Sequence, residues 1–325
     1  MIVIHPRLIL PVLGCALATA AGAQEPRFPM QPIQIIVGFT PGGSADTTAR
    51  LVGDGLGREL GQAVIVVNKP GAGTNIAAQF VAKAPADGHT LLFGGTSLVY
   101  SPGLLYPSMK ANLARDFAPV GGLVKVPNIL VVRQDSPLRD VRQLVAQAKS
   151  RPGGVNYGST GAGVSPQIAM EMLSARAGMR MTHVPYKGTA PMLTGILAGD
   201  VDVAFDIASS SGPMIQAGKM RGLAVSGATR LKTLPQIPTI AESGYPGFDV
   251  TSWYGLVAPQ GTPEAVIHKL NAALQKVLAQ PDIQTTLAAT GNEVMPGTPA
   301  DFQAFLAAEH RKWNDAVRQL DLRPE

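Results

Sequence analysis

From Ile33 to Arg50 the chain reads IQIIVGFTPGGSADTTAR, an apolar run that enters a Pro-Gly-Gly turn and leaves it as a helix with Ser44 or Asp46 as cap. This commits the chain to a strand feeding a helix, the unit from which α/β sheets are built. The first N–H groups of such a helix lack intrahelical acceptors, and its dipole adds positive potential. The turn is therefore a seat for an anion. Turns of this kind also serve only to reverse the chain, so their number matters.

Others follow. Ala45, Ala49, Val52, Leu56 and Leu60 form one apolar stripe on the first helix, and Val64 to Val67 reads as a fully buried strand. Gly71 to Gly73 then opens a second helix with Thr74 or Asn75 as cap, and the strand Thr90 to Gly94 closes on Thr96-Ser97. From Val120 an extended crossing segment and strand lead to a helix over 138–149. The strand VNYGS runs into Thr160-Gly161-Ala162-Gly163 and a helix carrying Ile168, Met172 and Leu173. MTHVPY meets Lys187-Gly188-Thr189 and a helix with Met192, Leu193, Ile196 and Leu197 inward, and VDVAFD ends at Asp206, where α/β sheets bind ligands. PTIAESG predicts a short helix ending at Gly244, WYGLVAP a return strand, and the tail two helices, one on Val266, Ile267, Leu270, Leu274 and Val277, the other on Phe302, Phe305, Leu306 and Trp313.

The first residues indicate export. Arg7 precedes the apolar segment LILPVLGCALATAAGA, which is interrupted by Pro11 and too short to span a bilayer, and Ala21-Gly22-Ala23 predicts cleavage after Ala23. Retention as an anchor and lipidation at Cys15 are the alternatives. Cleavage removes the one cysteine, so about 300 residues must fold without a disulfide, a length that suffices for two domains. Of 27 basic residues only Arg7 precedes the cut, and all 22 acidic ones follow it, leaving a mature balance of +4. That charge is unclustered and aromatics are 5%, which argues against a nucleic-acid surface and suits an acidic small molecule.

PGGSAD (41–46) with Arg50, NKPGAGTNIAA (68–78), PADGHTLL (85–92), ARDFAPV (114–120), HVPYKGTAP (183–191), AGDVDVAF (198–205), LPQIPTIAESG (234–244) and TSWYGLVAPQGTP (251–263) together resemble the substrate-binding proteins of tripartite tricarboxylate transporters, the Bug receptor family. The resemblance runs from about residue 30 to 318. It implies an α/β, two-lobed periplasmic binding fold of the type II, Venus-flytrap kind, with two strands crossing the hinge. After the 1–23 signal peptide, 24–124 and 250–325 would form one lobe and 125–249 the other. It also implies a small carboxylate, whether a di- or tricarboxylate, an amino acid or an aromatic acid, held between the lobes by backbone amides and ordered water, then delivered to the transporter's integral membrane subunits.

Carried onto this chain, the resemblance implies Thr40, Gly42, Gly43, Ser44, Asp46, Ala72, Gly73, Thr74, Asn75, Thr96 and Ser97 from the first lobe. From the second it implies Ser159, Thr160, Gly161, Gly163, Ser165, Tyr186, Gly188, Thr189 and Asp206. None of these turns contains an arginine, so a carboxylate there is held by many modest donors. Each residue also has a plainer reading. Gly42, Gly43, Gly71 and Gly73 permit positive φ, Ser44 and Thr74 cap helices, and Asp46 braces its turn. Asp206 meets a ligand ammonium or pairs with a neighbour, while Tyr186 bonds to the ligand or closes over it. Lys187 is expected in solvent, His183 in a structural role, and Trp253 near the hinge.

An enzyme is one rival, but the mature chain has no thiol, no His-x-x-x-His pair, no G-x-S-x-G elbow and an incomplete dinucleotide fingerprint at Gly161-Ala162-Gly163. No cofactor or metal is expected. The other rival is a sensor that presents its closed form to a membrane kinase, which requires the same closure. A monomer is expected in either case.

Overall fold

The computed structural model describes residues 28–100, 111–161 and 163–320. The signal-peptide expectation and Ala162 lie outside the described residues. The chain opens as β1 (Ile33–Val37), α1 (Ser44–Leu60), β2 (Val64–Asn68), α2 (Asn75–Ala82), β3 (Thr90–Gly95) and α3 (Ser97–Tyr100). β1, β2 and β3 are parallel, with β1 between the other two, so their carboxyl ends share one edge. The buried stripe of α1 is Ala45, Ala49, Val52 and Leu56, as its spacing predicts. β2 departs from expectation: it is the sheet's outer strand, and Ile65 is 47% exposed. An apolar run does not distinguish a central strand from an edge strand, because β-branched residues suit both.

After the short helix α4 (Leu113–Asp116), β4 (Phe117–Arg133) runs unbroken for 17 residues. Next come α5 (Val141–Ser150), β5 (Asn156–Ser159), α6 (Ser165–Ala177), β6 (Thr182–Pro185), α7 (Thr189–Ala198), β7 (Val203–Ile207), α8 (Ala208–Gln216) and β8 (Met220–Val225). β5 is parallel to both β6 and β7, repeating the arrangement of the first lobe. The chain returns through β9 (Thr251–Pro259), α9 (Glu264–Ala279), α10 (Pro281–Ala289), β10 (Glu293–Val294) and α11 (Pro299–Gln319). No helix among the described residues is long and apolar enough to cross a membrane.

Where the sequence predicts a helix over PTIAESG, the chain instead makes hydrogen-bonded turns. Ser243 and Gly244 N–H donate to Thr239 and Ala241, while Thr239 bridges to Val225 of β8. That bridge holds the segment against the strand, and the tertiary contact overrides local propensity.

β4 joins the two lobes. From Phe117 to Pro127 it pairs antiparallel with β9, and from Asn128 onward it pairs with β7 and β8. At the changeover Asn128 is fully buried. Its Nδ2 lies 3.4 Å from Ser226 Oγ, 3.5 Å from Val250 O and 3.4 Å from Ser252 Oγ, so one amide touches both chain crossings. Ser226 N–H donates to Asn128 O and Val250 N–H to Ser226 O.

The C-terminal helix is fastened to the returning strand beside this junction. Trp253 on β9 and Trp313 on α11 both donate their indole N–H to Glu309 Oε2, at 3.1 and 2.7 Å, while Phe302 and Phe305 meet the Trp253 ring edge to face. Gly255 lets this happen, since a methyl carbon there would stand 2.2 Å from Phe302 Cζ. Trp253 is thus placed beside the hinge, as expected. Glu309→Leu should lower the unfolding free energy by about 2 kcal/mol or more, because the Trp253 N–H would be buried without its acceptor. Glu309→Gln keeps a carbonyl oxygen and should cost less; urea denaturation separates the two.

Candidate functional site

The first wall of the cleft is built by three strand ends tied to one another. The turn after β1 is held by Asp46, whose carboxylate accepts from Gly42 N–H at 3.0 Å, from Arg50 in a two-point pair at 3.1 and 2.9 Å, and from Asn68 Nδ2 at 2.9 Å. Asn68, at the end of β2, also donates to Phe39 O. Asp46 therefore braces the turn, as the plainer reading has it.

The capping expectations need correction. Gly43, not Ser44, is the N-cap of α1, and no side chain caps that end. Ser44 already has helical backbone, and its buried Oγ has no hydrogen-bond partner in the protein. Gly42 has φ 82, whereas Gly43 has φ −83, a value open to any residue. A methyl carbon on Gly43 would meet nothing nearer than Thr40 O at 3.8 Å, so packing does not require glycine at that position either.

The second turn of this wall is strained. Ala72, Gly73 and Thr74 have φ of 46, 56 and 76, and left-handed backbone is unfavourable for a β-branched threonine. Thr74 precedes α2 without a side-chain cap; its Oγ1 instead pairs with Ser97 Oγ at 3.0 Å. Asn75 Nδ2 donates to Ala72 O at 2.7 Å and closes the loop. Gly38 permits the loop to sit against the first turn, since a methyl carbon there would stand 2.7 Å from Thr74 Cβ. Thr96 Oγ1 accepts from Trp253 N–H at 3.0 Å and is used in tying β3 to β9.

The second wall repeats the plan. Gly161 has φ 147, and Gly163 has φ 72 with its N–H donating to Gln167 Oε1 at 2.6 Å. Ser159 points inward: its buried Oγ is 2.7 Å from Gly161 O and 2.7 Å from His183 Nε2, while Gln167 Nε2 is 3.2 Å from His183 Nδ1. Ser159, His183 and Gln167 superficially resemble a nucleophile, a base and its orienting group. The bond directions argue otherwise. Gln167 accepts from Gly163 and so turns its NH₂ toward Nδ1, which places the imidazole proton on Nε2. His183 then donates to Ser159, which donates to Gly161 O, and the imidazole is no base toward that hydroxyl. His183, stacked on Tyr157, has the structural role expected of it.

Thr160 O accepts from Gly188 N–H at 3.2 Å, and Gly188 (φ 107) precedes Thr189, the first residue of α7. The Tyr186 phenol turns away from the cleft. It lies in a slot over α7 where a methyl carbon on Gly195 would stand 2.3 Å from its oxygen, and burial followed by the charge of Asp200 raises its pKa. Ser165 bonds Ser252 Oγ at 2.7 Å, so it links α6 to the hinge strand. Lys187 is exposed, as expected.

The walls meet. A methyl carbon on Gly188 would stand 3.4 Å from Thr40 Oγ1, and Ile207 at the end of β7 packs on the first lobe's core. Tyr254 of β9, which sequence reasoning did not select, lies buried between them; burial drives its phenol above the usual range, the Ser44 side chain opposes the shift, and the charge of Asp206 adds to it. Asn128 and Gln167 were missed as well. Their signal, a polar residue inside an apolar strand or at a helix start, is weak without the fold. No group of three or more His, Cys, Asp or Glu is placed to hold a metal among the described residues.

Burial pulls the Asp46 carboxyl upward, but its bonds from Arg50, Gly42 N–H and Asn68 outweigh this and hold the pKa below the ordinary value. The stability this supplies is complete above the unfolded-state pKa of about 3.9 and is lost as pH falls through the lower folded value. Asp46→Asn should therefore reduce the thermal midpoint at pH 7, and the gap to the unaltered protein should close below about pH 4, measured by circular dichroism melts.

The sequence profile of the tripartite tricarboxylate transporter family receptor matches residues 48–322. The chain is similar to BugT of Bordetella pertussis, at 35% identity over 315 residues that cover 96% of this chain and 97% of that one. Among solved structures, R. palustris Rpa4515 with adipate has a TM-score of 0.87 at 35% identity, covering 92% of this chain and 100% of that one. MatC (Rpa3494) from Rhodopseudomonas palustris, with bound malate, gives 0.83 at 33% identity, covering 89% and 100%. With the same two-lobed α/β fold as these relatives, the chain belongs to the tripartite tricarboxylate transporter receptor family, the Bug receptors.

Proposed function

We propose that this receptor works in the periplasm after loss of residues 1–23, closes without catalysis on a small di- or tricarboxylate, and delivers it to the membrane subunits of a tripartite transporter. Closure would swing 24–124 with 250–325 against 125–249 about the crossings at 125–128 and 250–252. One observation carries the reading: strand-end turns of both lobes, rich in N–H groups and hydroxyls, face each other within the Gly188–Thr40 approach, and neither supplies an arginine. Helix starts and left-handed loops of this sort stabilise an anion through many small contributions, and water completes those that do not reach. The adipate and malate in the two relatives are ligands of that class.

Gly43 allows the reading to be tested. Its backbone and surroundings accept a side chain, and a bulky one would project over the turn. Gly43→Leu should abolish ligand binding while lowering the melting midpoint of the free protein by only about 2–4 °C, for loss of a favoured N-cap residue; retained affinity would count heavily against the site. Thermal-shift screening against di- and tricarboxylates, amino acids and aromatic acids tests the ligand class. A cleft ligand at a hundred times its dissociation constant should add about 2.7 kcal/mol.

A further inference from the structure

Asp206 differs from every other group in the cleft. It ends β7 with no exposed surface, and neither carboxylate oxygen has a hydrogen-bond partner in the protein. It lies at the meeting of the lobes, beside Ile207 on the first lobe's core and within the field felt by Tyr254. Ser44 Oγ and Ser209 Oγ, at the starts of α1 and α8, are likewise buried without partners. Native proteins rarely leave such groups unpaired unless something else supplies the partner.

The β7–α8 junction brings the N–H groups of Ile207 and Ser211 and the Ser211 hydroxyl near the carboxylate, which favour its charged form without reaching bonding geometry. Burial outweighs them and pushes Asp206 up to about 7. β4 places Ile129 in register opposite Asp206, and β9 contributes Tyr254, whose own phenol is held neutral by burial. No Lys, Arg or His forms an ion pair with it among the described residues. An anionic ligand seated on the turns would then share a desolvated space with a second negative charge, and two adjacent buried carboxylates cannot both stay ionised.

Resting on the carboxylate reading above, we propose that capture is coupled to a proton: Asp206 binds one from solvent as the ligand enters, and its neutral O–H donates to the ligand's second carboxylate. The proton returns to solvent on release. A ligand bearing an ammonium group would need no such proton, because it would pair with the ionised Asp206. The site then favours dianions over α-amino acids, and more strongly as pH falls.

The test is calorimetry of the full mature protein with succinate, malate, adipate and glutamate at pH 6, 7, 8 and 9, in buffers of different ionisation heat. For the dicarboxylates that bind, the dissociation constant should rise by up to tenfold per pH unit above about 7, with uptake approaching one proton per ligand at pH 8. Asp206→Asn, neutral at every pH, should flatten that slope. Should the variant fail to fold, proton counting on the unaltered protein decides alone. PH-independent binding without proton uptake overturns the coupling and leaves the carboxylate reading standing. Tight glutamate binding that is lost in Asp206→Asn also overturns it, by assigning the group to an ammonium. No binding of any of the four at any pH removes the carboxylate reading itself.

Discussion

The two lobes share the backbone of one strand, and the fold depends on how that strand changes partners. β4 gives its first eleven residues to β9 and the rest to β7 and β8, so neither half-sheet is complete without it. The buried Asn128 amide marks the changeover, touching Ser226, Val250 and Ser252 at once. Short bonds hold the same junction: Ser226 N–H donates to Asn128 O at 2.9 Å and Val250 N–H to Ser226 O at 2.8 Å. The strand is thereby kept in register with both half-sheets at the point where it changes partners.

From that junction the site follows. Parallel strands on either side point their carboxyl ends at the same gap, so each strand-to-helix turn delivers its N–H groups to a common space. The hydroxyls then divide the work. Thr74, Ser97, Thr96, Ser159 and Ser165 are used in tying turns and strands to one another, while Ser44 is left without a protein partner. Most of these polar side chains are thus already engaged within the protein.

Much of this was legible from the residues. Alternation and 3.6-residue spacing located the strands and the long helices, and glycine and proline marked the turns, because these signals are local. What escaped depended on tertiary geometry. Ser44 reads as a cap one residue from where Gly43 performs that task, since Asp46 reaches back to Gly42 N–H and winds the helix earlier. Tyr186 adjoins a helix start and reads as cleft-facing, but the missing side chain of Gly195 opens a slot on the other side. Tyr254 reads as an ordinary aromatic of a buried strand, and only the folded chain brings it near Ser44 and Asp206.

The left-handed run Ala72-Gly73-Thr74 carries a consequence for affinity. Holding threonine at φ 76 costs energy, and the Thr74–Ser97 and Asn75–Ala72 bonds keep it there. The ordering of that loop is therefore charged to folding and not to association. On the proposed reading, an anion seated there would meet a loop already ordered, and its binding free energy would not be reduced by freezing that loop.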